Sequence, residues 1–286
     1  MKLFQNKEEL QDFVLEQKRS GKRIGFVPTM GNLHDGHLSL VKLAQAESDI
    51  VIVSIFVNPM QFGPNEDFDA YPRTFEQDKE KLDSLNTDIL FLPNLDSIYP
   101  RGKENHTKVE AIEALTKKLC GASRPGHFLG VTTVVNILLN IVQPDIAVFG
   151  KKDYQQLMVI KRMVSDLCMP IKIIGGDIKR EPNGLAMSSR NGYLSQIEKD
   201  KASHLRAIIL AAQKQIEAGD TNFRSLEKHA IQQLTNDGFK VDYFHIVRQD
   251  DLESAKESDS KLLIAAAAWL GQPRLIDNQE VNLERA

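Results

Sequence analysis

Short apolar runs alternate with longer amphipathic segments over the first two thirds of the chain. Ile24–Val27, Ile50–Val57, Ile89–Leu92, Ile146–Phe149 and Ile171–Ile174 are rich in β-branched and aromatic residues. Runs of this kind, several bounded by proline or glycine, read as buried parallel strands. The segments between them read as helices. Asn6, three residues before Glu9, makes a variant capping box with Asn in place of Ser or Thr, opening a helix to about Lys18. Leu38–Ala46, Phe75–Leu85, Thr132–Ile141 and Asp153–Leu167 carry apolar residues at helical spacing. Strands separated by helices of this length imply βαβ units and a doubly wound sheet. Ligands in such sheets bind at the carboxyl ends of the strands, so the residues just after each strand are the ones to inspect.

After about Ile178 the texture changes. Glu198–Glu217 and Phe223–Asp237 read as two helices separated by a turn at Gly219-Asp220. Lys240–Val247 and Leu262–Leu270 read as strands, although the alanines of the second also suit a short helix. The expected architecture is therefore α/β. A doubly wound (Rossmann-like) parallel sheet occupies residues 1–178, and a smaller C-terminal α+β domain, residues 179–286, acts as a lid.

Composition narrows the function classes. Of 286 residues, 42% are hydrophobic and 26% charged, which excludes a disordered or collagen-like chain. Lys plus Arg number 36 against 39 for Asp plus Glu, a net charge of -3. That balance does not favour a nucleic acid, so any anion must be held by local placement of charge. Two cysteines, Cys120 and Cys168, make neither a zinc cluster nor a disulfide framework. The N-terminus carries charges within its first ten residues and has no apolar core of a signal peptide. With no apolar stretch approaching ~18 residues, the expectation is a cytoplasmic protein that does not enter a membrane.

The most informative stretch is Pro28-Thr-Met-Gly-Asn-Leu-His-Asp-Gly-His-Leu-Ser-Leu40, which follows a strand and runs into a helix. His34 and His37, three apart, share a face at that helix entrance. Free N–H groups and partial positive charge at a helix N-terminus, with two imidazoles beside them, suit an anion. Gly31 and Gly36 let a base or phosphate approach the backbone. The stretch is neither a Walker A loop nor a GxGxxG fingerprint. His-x-x-His is also half a zinc site, but no HExxH glutamate or nearby cysteine completes one.

Four further segments fall at strand ends or at the domain boundary. Asn58-Pro-Met-Gln61 brings two amides suited to a small polar substrate, or to a turn. Glu66, Asp67, Asp69 and Asp78 make the following segment acidic, as near magnesium or on a solvated face. Gly150-Lys-Lys-Asp-Tyr-Gln-Gln156 opens a helix, with Lys152 placed for a phosphate and Gln156 four residues on along the same face. Arg124-Pro-Gly-His-Phe128 is a basic, glycine-containing loop before a helix. Gly184-Leu-Ala-Met-Ser-Ser-Arg-Asn191 offers hydroxyls and a guanidinium at the domain boundary, as a lid over phosphates or a plain linker.

Taken in order, PTMGNLHDGH, FVNPMQFGPNEDF, YPRT, SRPGHF, the GxKDYQQL pattern and GLAMSSRNGYL make the sequence resemble the pantoate–β-alanine ligases, over nearly its whole length. That family is related to the class I aminoacyl-tRNA synthetases with their HxGH and KMSKS signatures. His34-Asp-Gly-His37 matches the first, and Met187-Ser-Ser-Arg190 resembles the second loosely, with Ala186 where Lys would begin it. The resemblance implies that pantoate attacks the α-phosphate of ATP, giving pantoyl adenylate and pyrophosphate, and that β-alanine then displaces AMP. It assigns Met30, Gly31, Asn32, Leu33, His34, Asp35, Gly36 and His37 to the ATP site, with His37 acting on the phosphates. Gly150, Lys151, Lys152, Asp153, Lys179 and Met187 also hold ATP in this pattern, with Lys152, Ser188, Ser189 and Arg190 on its phosphates. Gln61 and Gln156 would hold pantoate, Asn58 would support that pocket, and Arg124 and His127 would line it.

Magnesium accompanies ATP in this expectation, with Asp78 as its candidate ligand, though its neighbours Gln77 and Lys81 are poor ligands for a hard cation. A homodimer is implied by the resemblance alone. The family usually reads Gly-Glu-Lys-Asp where this chain has Gly150-Lys-Lys-Asp153, so the resemblance places Lys151 in the ATP segment but carries over no role for its side chain. The alternatives are a nucleotidylyltransferase, which shares the HxGH loop but typically lacks the second domain, and a non-catalytic nucleotide-binding module.

Overall fold

The computed structural model describes residues 1–64 and 66–284, so Asn65 of the GPNEDF stretch lies outside the described residues. Among these, six parallel strands form one sheet: β1 (Lys2–Phe4), β2 (Ile24–Thr29), β3 (Ile50–Ile55), β4 (Ile89–Phe91), β5 (Ile146–Gly150) and β6 (Lys172–Gly176). Their spatial order is β1-β4-β3-β2-β5-β6. Successive residues of each central strand face opposite cores. Phe26 and Ile52 pack on one side, and Val27, Val51 and Val53 on the other. That is why these strands read as unbroken apolar runs. The order reverses between β2 and β5, which pair in parallel. The crevice beyond their carboxyl ends is the switch point where such sheets bind ligands, and both the Met30–His37 stretch and Gly150-Lys151 emerge there.

Helix boundaries fall within a few residues of the sequence reading, with one larger difference. The helix His127–Val142 begins well before Thr132. It is buried on most of its surface, so no polar face marks its start. Edge strand β1, absent from the sequence reading, is only three residues long and too short to show a period. The apolar run Ile50–Val57 stops being strand at Ile55 because the chain turns into the 3-10 segment Pro59–Gln61.

The chain divides into two compact units. The second takes the chain from Ile178 onward together with Glu113–Ser123 and Lys152–Gln155. Within it, Gln155 ties the early segment together. Its Nε2 donates to the carbonyls of Leu115 and Lys118, both at 2.7 Å, while its Oε1 accepts the Cys120 N–H at 3.0 Å. Ser123 Oγ donates to Asp242, and Lys118 Nζ lies 2.6 Å from Glu253 Oε1.

In this unit the helices Gln196–Glu217 and Phe223–Asn236 precede an antiparallel sheet of β7 (Lys240–Arg248), β8 (Lys261–Trp269) and β9 (Arg274–Asn282), in that order. The alanine-rich run is the central strand of this sheet, hydrogen-bonded on both sides. Ser195 and Glu198 form the capping box of the first helix, Glu198 N donating to Ser195 Oγ at 3.3 Å and Ser195 N to Glu198 Oε2 at 2.8 Å. Strand β9 escaped the sequence reading because the buried polar residues Asp277 and Asn278 interrupt its apolar pattern.

Candidate active site

In the N-terminal unit, the loop after β2 turns through Gly31 (φ +82°) and Asn32 (φ +49°). A side chain at Gly31 would crowd Asp78 Oδ2 and Ile55 Cγ2, each 3.1 Å from a Cβ there. Asp78 lies on the helix Phe75–Ser84 and is 1% exposed. Its Oδ2 accepts the Asn32 N–H at 2.8 Å and its Oδ1 the Leu33 N–H at 2.7 Å. One turn on, Lys81 Nζ donates to the Leu33 carbonyl at 2.6 Å. One helix thus clamps both polar sides of the loop. This geometry does not support the magnesium expectation. Asp78 is buried and spends both oxygens on backbone N–H groups, so it does not fit a magnesium site. Among the described residues, no group of three or more His, Cys, Asp or Glu is placed to hold a metal.

His34 caps the helix Asp35–Glu47, its Nδ1 accepting the Gly36 N–H at 3.1 Å. The His34 N–H reaches His37 Nδ1 at 3.4 Å, and the two rings lie 4.1 Å apart. A neutral imidazole that accepts at Nδ1 carries its proton on Nε2. Both histidines are therefore set as Nε2–H donors at a helix N-terminus.

Asn58 is 1% exposed and fully engaged. Its Oδ1 accepts from Tyr99 Oη at 2.8 Å, and its Nδ2 donates to the Gly130 carbonyl at 3.2 Å and to Gln61 Oε1 at 3.3 Å. Burial raises the Tyr99 phenol far above its ordinary value, so it stays a neutral donor. Asn58 therefore orients Gln61, whose Nε2 lies 3.0 Å from Met30 Sδ. At Gly130 any Cβ would overlap the Met60 carbonyl, so the buried helix presses directly on this turn.

Arg124 brings less charge than its sequence position suggests. Its Nε and Nη2 each lie 2.6 Å from a carboxylate oxygen of Glu66. Burial alone would raise Glu66, but the Arg124 hydrogen bonds and charge outweigh it and hold the carboxyl below its ordinary value. His127 Nδ1 is 2.8 Å from the Gln61 carbonyl, which can only accept, so that nitrogen is protonated and Nε2 accepts from Arg124 Nη1 at 3.0 Å. The trio fixes the Gln61 backbone. Gln156 is half-buried on the helix Tyr154–Asp166. Lys152 belongs to the preceding 3-10 turn Lys151–Asp153, so the expected i, i+4 helical face does not link the two. Lys151 Nζ pairs with Asp177 at 3.0 Å.

In the C-terminal unit, the Met187 N–H donates to the Lys179 carbonyl at 3.0 Å, and Arg180 bridges Ala186 in antiparallel register. Arg180 forks onto Asp277 at 2.7 and 3.0 Å and also donates to the Gly184 carbonyl at 3.1 Å. Ser188 caps the 3-10 turn Ser189–Tyr193, its Oγ accepting the Arg190 N–H at 3.3 Å. The Lys152 carbonyl accepts from Asn278 Nδ2 at 2.9 Å. The supports the sequence reading missed are Lys81, Glu66, Tyr99, Arg180 and Asp277. Only Lys81, one turn from Asp78 on one helix, left a local signal.

A family model described as pantoate-beta-alanine ligase matches residues 2–280. The pantothenate synthetase of Hahella chejuensis is 53% identical over 276 residues, spanning 96% of this chain and 97% of the relative. That of Cellvibrio japonicus is 50% identical over 283 residues, spanning 99% and 100%. Among solved structures, the pantothenate synthetase of Thermus thermophilus superposes with a TM-score of 0.93 at 40% identity, covering 99% of this chain and all of that one. A pantoate-beta-alanine ligase from Francisella tularensis, complexed with beta-gamma ATP and beta-alanine, gives 0.82 at 38% identity, covering 98% and 97%. Similar over nearly its whole length in both sequence and fold, this chain belongs to the pantoate–β-alanine ligase family of enzymes.

Proposed function

We propose that this enzyme condenses pantoate with β-alanine at the expense of ATP, through a pantoyl-adenylate intermediate. A carboxylate oxygen of pantoate attacks the α-phosphorus of ATP, and the bond to pyrophosphate breaks. The β-alanine amine then attacks the acyl carbon, loses a proton, and AMP departs with the carbon–oxygen bonding pair, leaving pantothenate. AMP converts a poor acyl donor into a good one, so the protein needs only to align reactants and stabilise phosphate charge.

The observation that carries this reading is the paired histidine cap, two Nε2–H donors at a helix N-terminus where β2 ends. In this reading His34 and His37 meet the phosphates with the loop Met30–Leu33, His37 acting on the charge that develops there. Gln61, held by Asn58 and His127, grips pantoate with Gln156. Lys152, Ser188, Ser189 and Arg190 serve the phosphates, while Gly150, Asp153, Lys179 and Met187 contribute to the nucleotide site. Magnesium enters as the counter-ion ATP brings, with no ligand among these residues. The family pattern also implies a homodimer, which sedimentation of the purified chain would reveal.

The test is exchange of labelled pyrophosphate into ATP. Pantoate alone should support it, because the amine enters only after the adenylate exists. Exchange that fails with pantoate but proceeds with a phosphate ester would instead identify a nucleotidylyltransferase. A binding module would exchange nothing.

A further inference from the structure

In the C-terminal unit a cavity of about 10 Å³ is lined by Lys152, Ser188, Asn191, Arg206 and Asp277, among others. That is room for about one water molecule. Two side chains that line it each carry a buried polar atom without a hydrogen-bond partner among the described residues: Arg206 Nη1 and Asn191 Oδ1. Asn191 is 7% exposed, and its orientation is fixed because Nδ2 donates to the Ala186 carbonyl at 3.1 Å. Reversing the amide would set oxygen against oxygen. The wall thus offers a donor that cannot accept and an acceptor that does not donate. An anion would be repelled by Oδ1 and a cation by the guanidinium, whereas water satisfies both. Asp277 also lines the cavity and offsets the charge of Arg180 at Arg206; a second acceptor there would complete the usual three bonds of a buried water.

We propose that one water occupies this cavity, accepting from Arg206 Nη1 and donating to Asn191 Oδ1, and that Arg206 and Asn191 thereby act as positioning residues for the loop Met187–Arg190. Asn191 sits in the turn that Ser188 caps, and Arg206 sits on the helix Gln196–Glu217, so the water joins that turn to a long rigid element. Burial and the neighbouring charge of Arg180 both pull the Arg206 guanidinium below its ordinary value, offset in part by Asp277, and a dipolar partner relieves that desolvation. The consequence for ATP rests on the function proposed above; the water itself does not.

Two measurements test this. A high-resolution crystal structure of the unliganded protein should show one water within hydrogen-bond distance of both atoms. An empty cavity, or a halide in it after a bromide soak, overturns the proposal. In pyrophosphate exchange, Arg206→Met should raise KM for ATP by about tenfold, the size of one lost hydrogen bond to a charged group, with kcat changed less than about threefold. Arg206→Lys, which keeps a donor, should restore KM. Unchanged KM in Arg206→Met, or a lysine variant as impaired as the methionine one, removes the positioning role. If the wild-type enzyme exchanges no pyrophosphate, the adenylate reading fails separately. The same variants are then read by calorimetric ATP binding, where the tenfold weakening and its rescue by lysine are again required.

Discussion

The loop Met30–Leu33 takes its supports from Asp78 and Lys81, 46 and 48 positions along the chain, and each support ends on a backbone N–H or carbonyl. The segment Lys179–Arg190 is fixed instead by an ion pair between Arg180 and Asp277, 97 positions away on β9. In the first case the peptide groups themselves are held, and the histidine rings are set by the same backbone. In the second, much of the hold lies in two opposite charges, with Asp277 only 3% exposed. Disturbing the first should therefore act on catalysis while the fold persists. Disturbing the second should act on the fold before chemistry is reached.

Asp277→Ala should produce the largest effect. It strands the Arg180 guanidinium, and breaking a buried pair costs ~3–5 kcal/mol, a fall in Tm on the order of 10 °C. Thermal denaturation checks it, and an unchanged Tm would erase the contrast between the two regions. His37→Ala should behave in the opposite way. Losing one donor aimed at developing charge costs ~10²–10³ in kcat, whereas Tm should stay near wild type because His37 is half-buried and lies outside the hydrophobic cores. A folded variant that exchanges pyrophosphate at close to the normal rate would remove His37 from its proposed role.

The same difference governs what was legible in the sequence. The first loop lies between a strand and a helix with distinct periodicities, so its place at a strand end followed from pattern alone. Even there, Asp78 read as a metal ligand, because nothing in a sequence tells a carboxylate facing backbone N–H groups from one facing a cation. The second segment was visible only as a motif. Its anchor Asp277 sits in a strand whose buried polar residues concealed it, and Arg206 is one basic residue of an amphipathic helix. The adjacent glutamines show the limit most sharply. Gln155 is buried and bonded to three backbone groups, while Gln156 is half-buried, and helical phase, not residue type, separates them.

Asp78→Asn sharpens the account of the first loop with a smaller effect. The amide puts a donor where an N–H must be accepted, so stability should fall by ~1–3 kcal/mol, and kcat should fall with the disturbed loop. The dependence of rate on magnesium concentration should not move. A raised magnesium requirement in this variant would return Asp78 to the metal.

The smallest effect is expected at Lys151, which the division into units separates from Lys152 by a single peptide bond. Lys151 Nζ pairs with Asp177, whose side chain is 89% exposed, and surface pairs of this kind contribute ~0–1 kcal/mol. Lys152 has a side chain only 20% exposed, and it lines a cavity with Ser188. Both lie in a 3-10 turn, where successive side chains point about 120° apart, so one phosphate cannot be met by both. Lys151→Glu, which installs the residue usual in the family, should leave turnover under saturating ATP little changed and Tm near wild type. Lys152→Ala should lower turnover far more at the same ATP concentration. If Lys151→Glu is the more damaging of the two, the phosphate contact belongs to the N-terminal unit, and the division of labour drawn between the two regions is wrong at a point where the units adjoin in sequence.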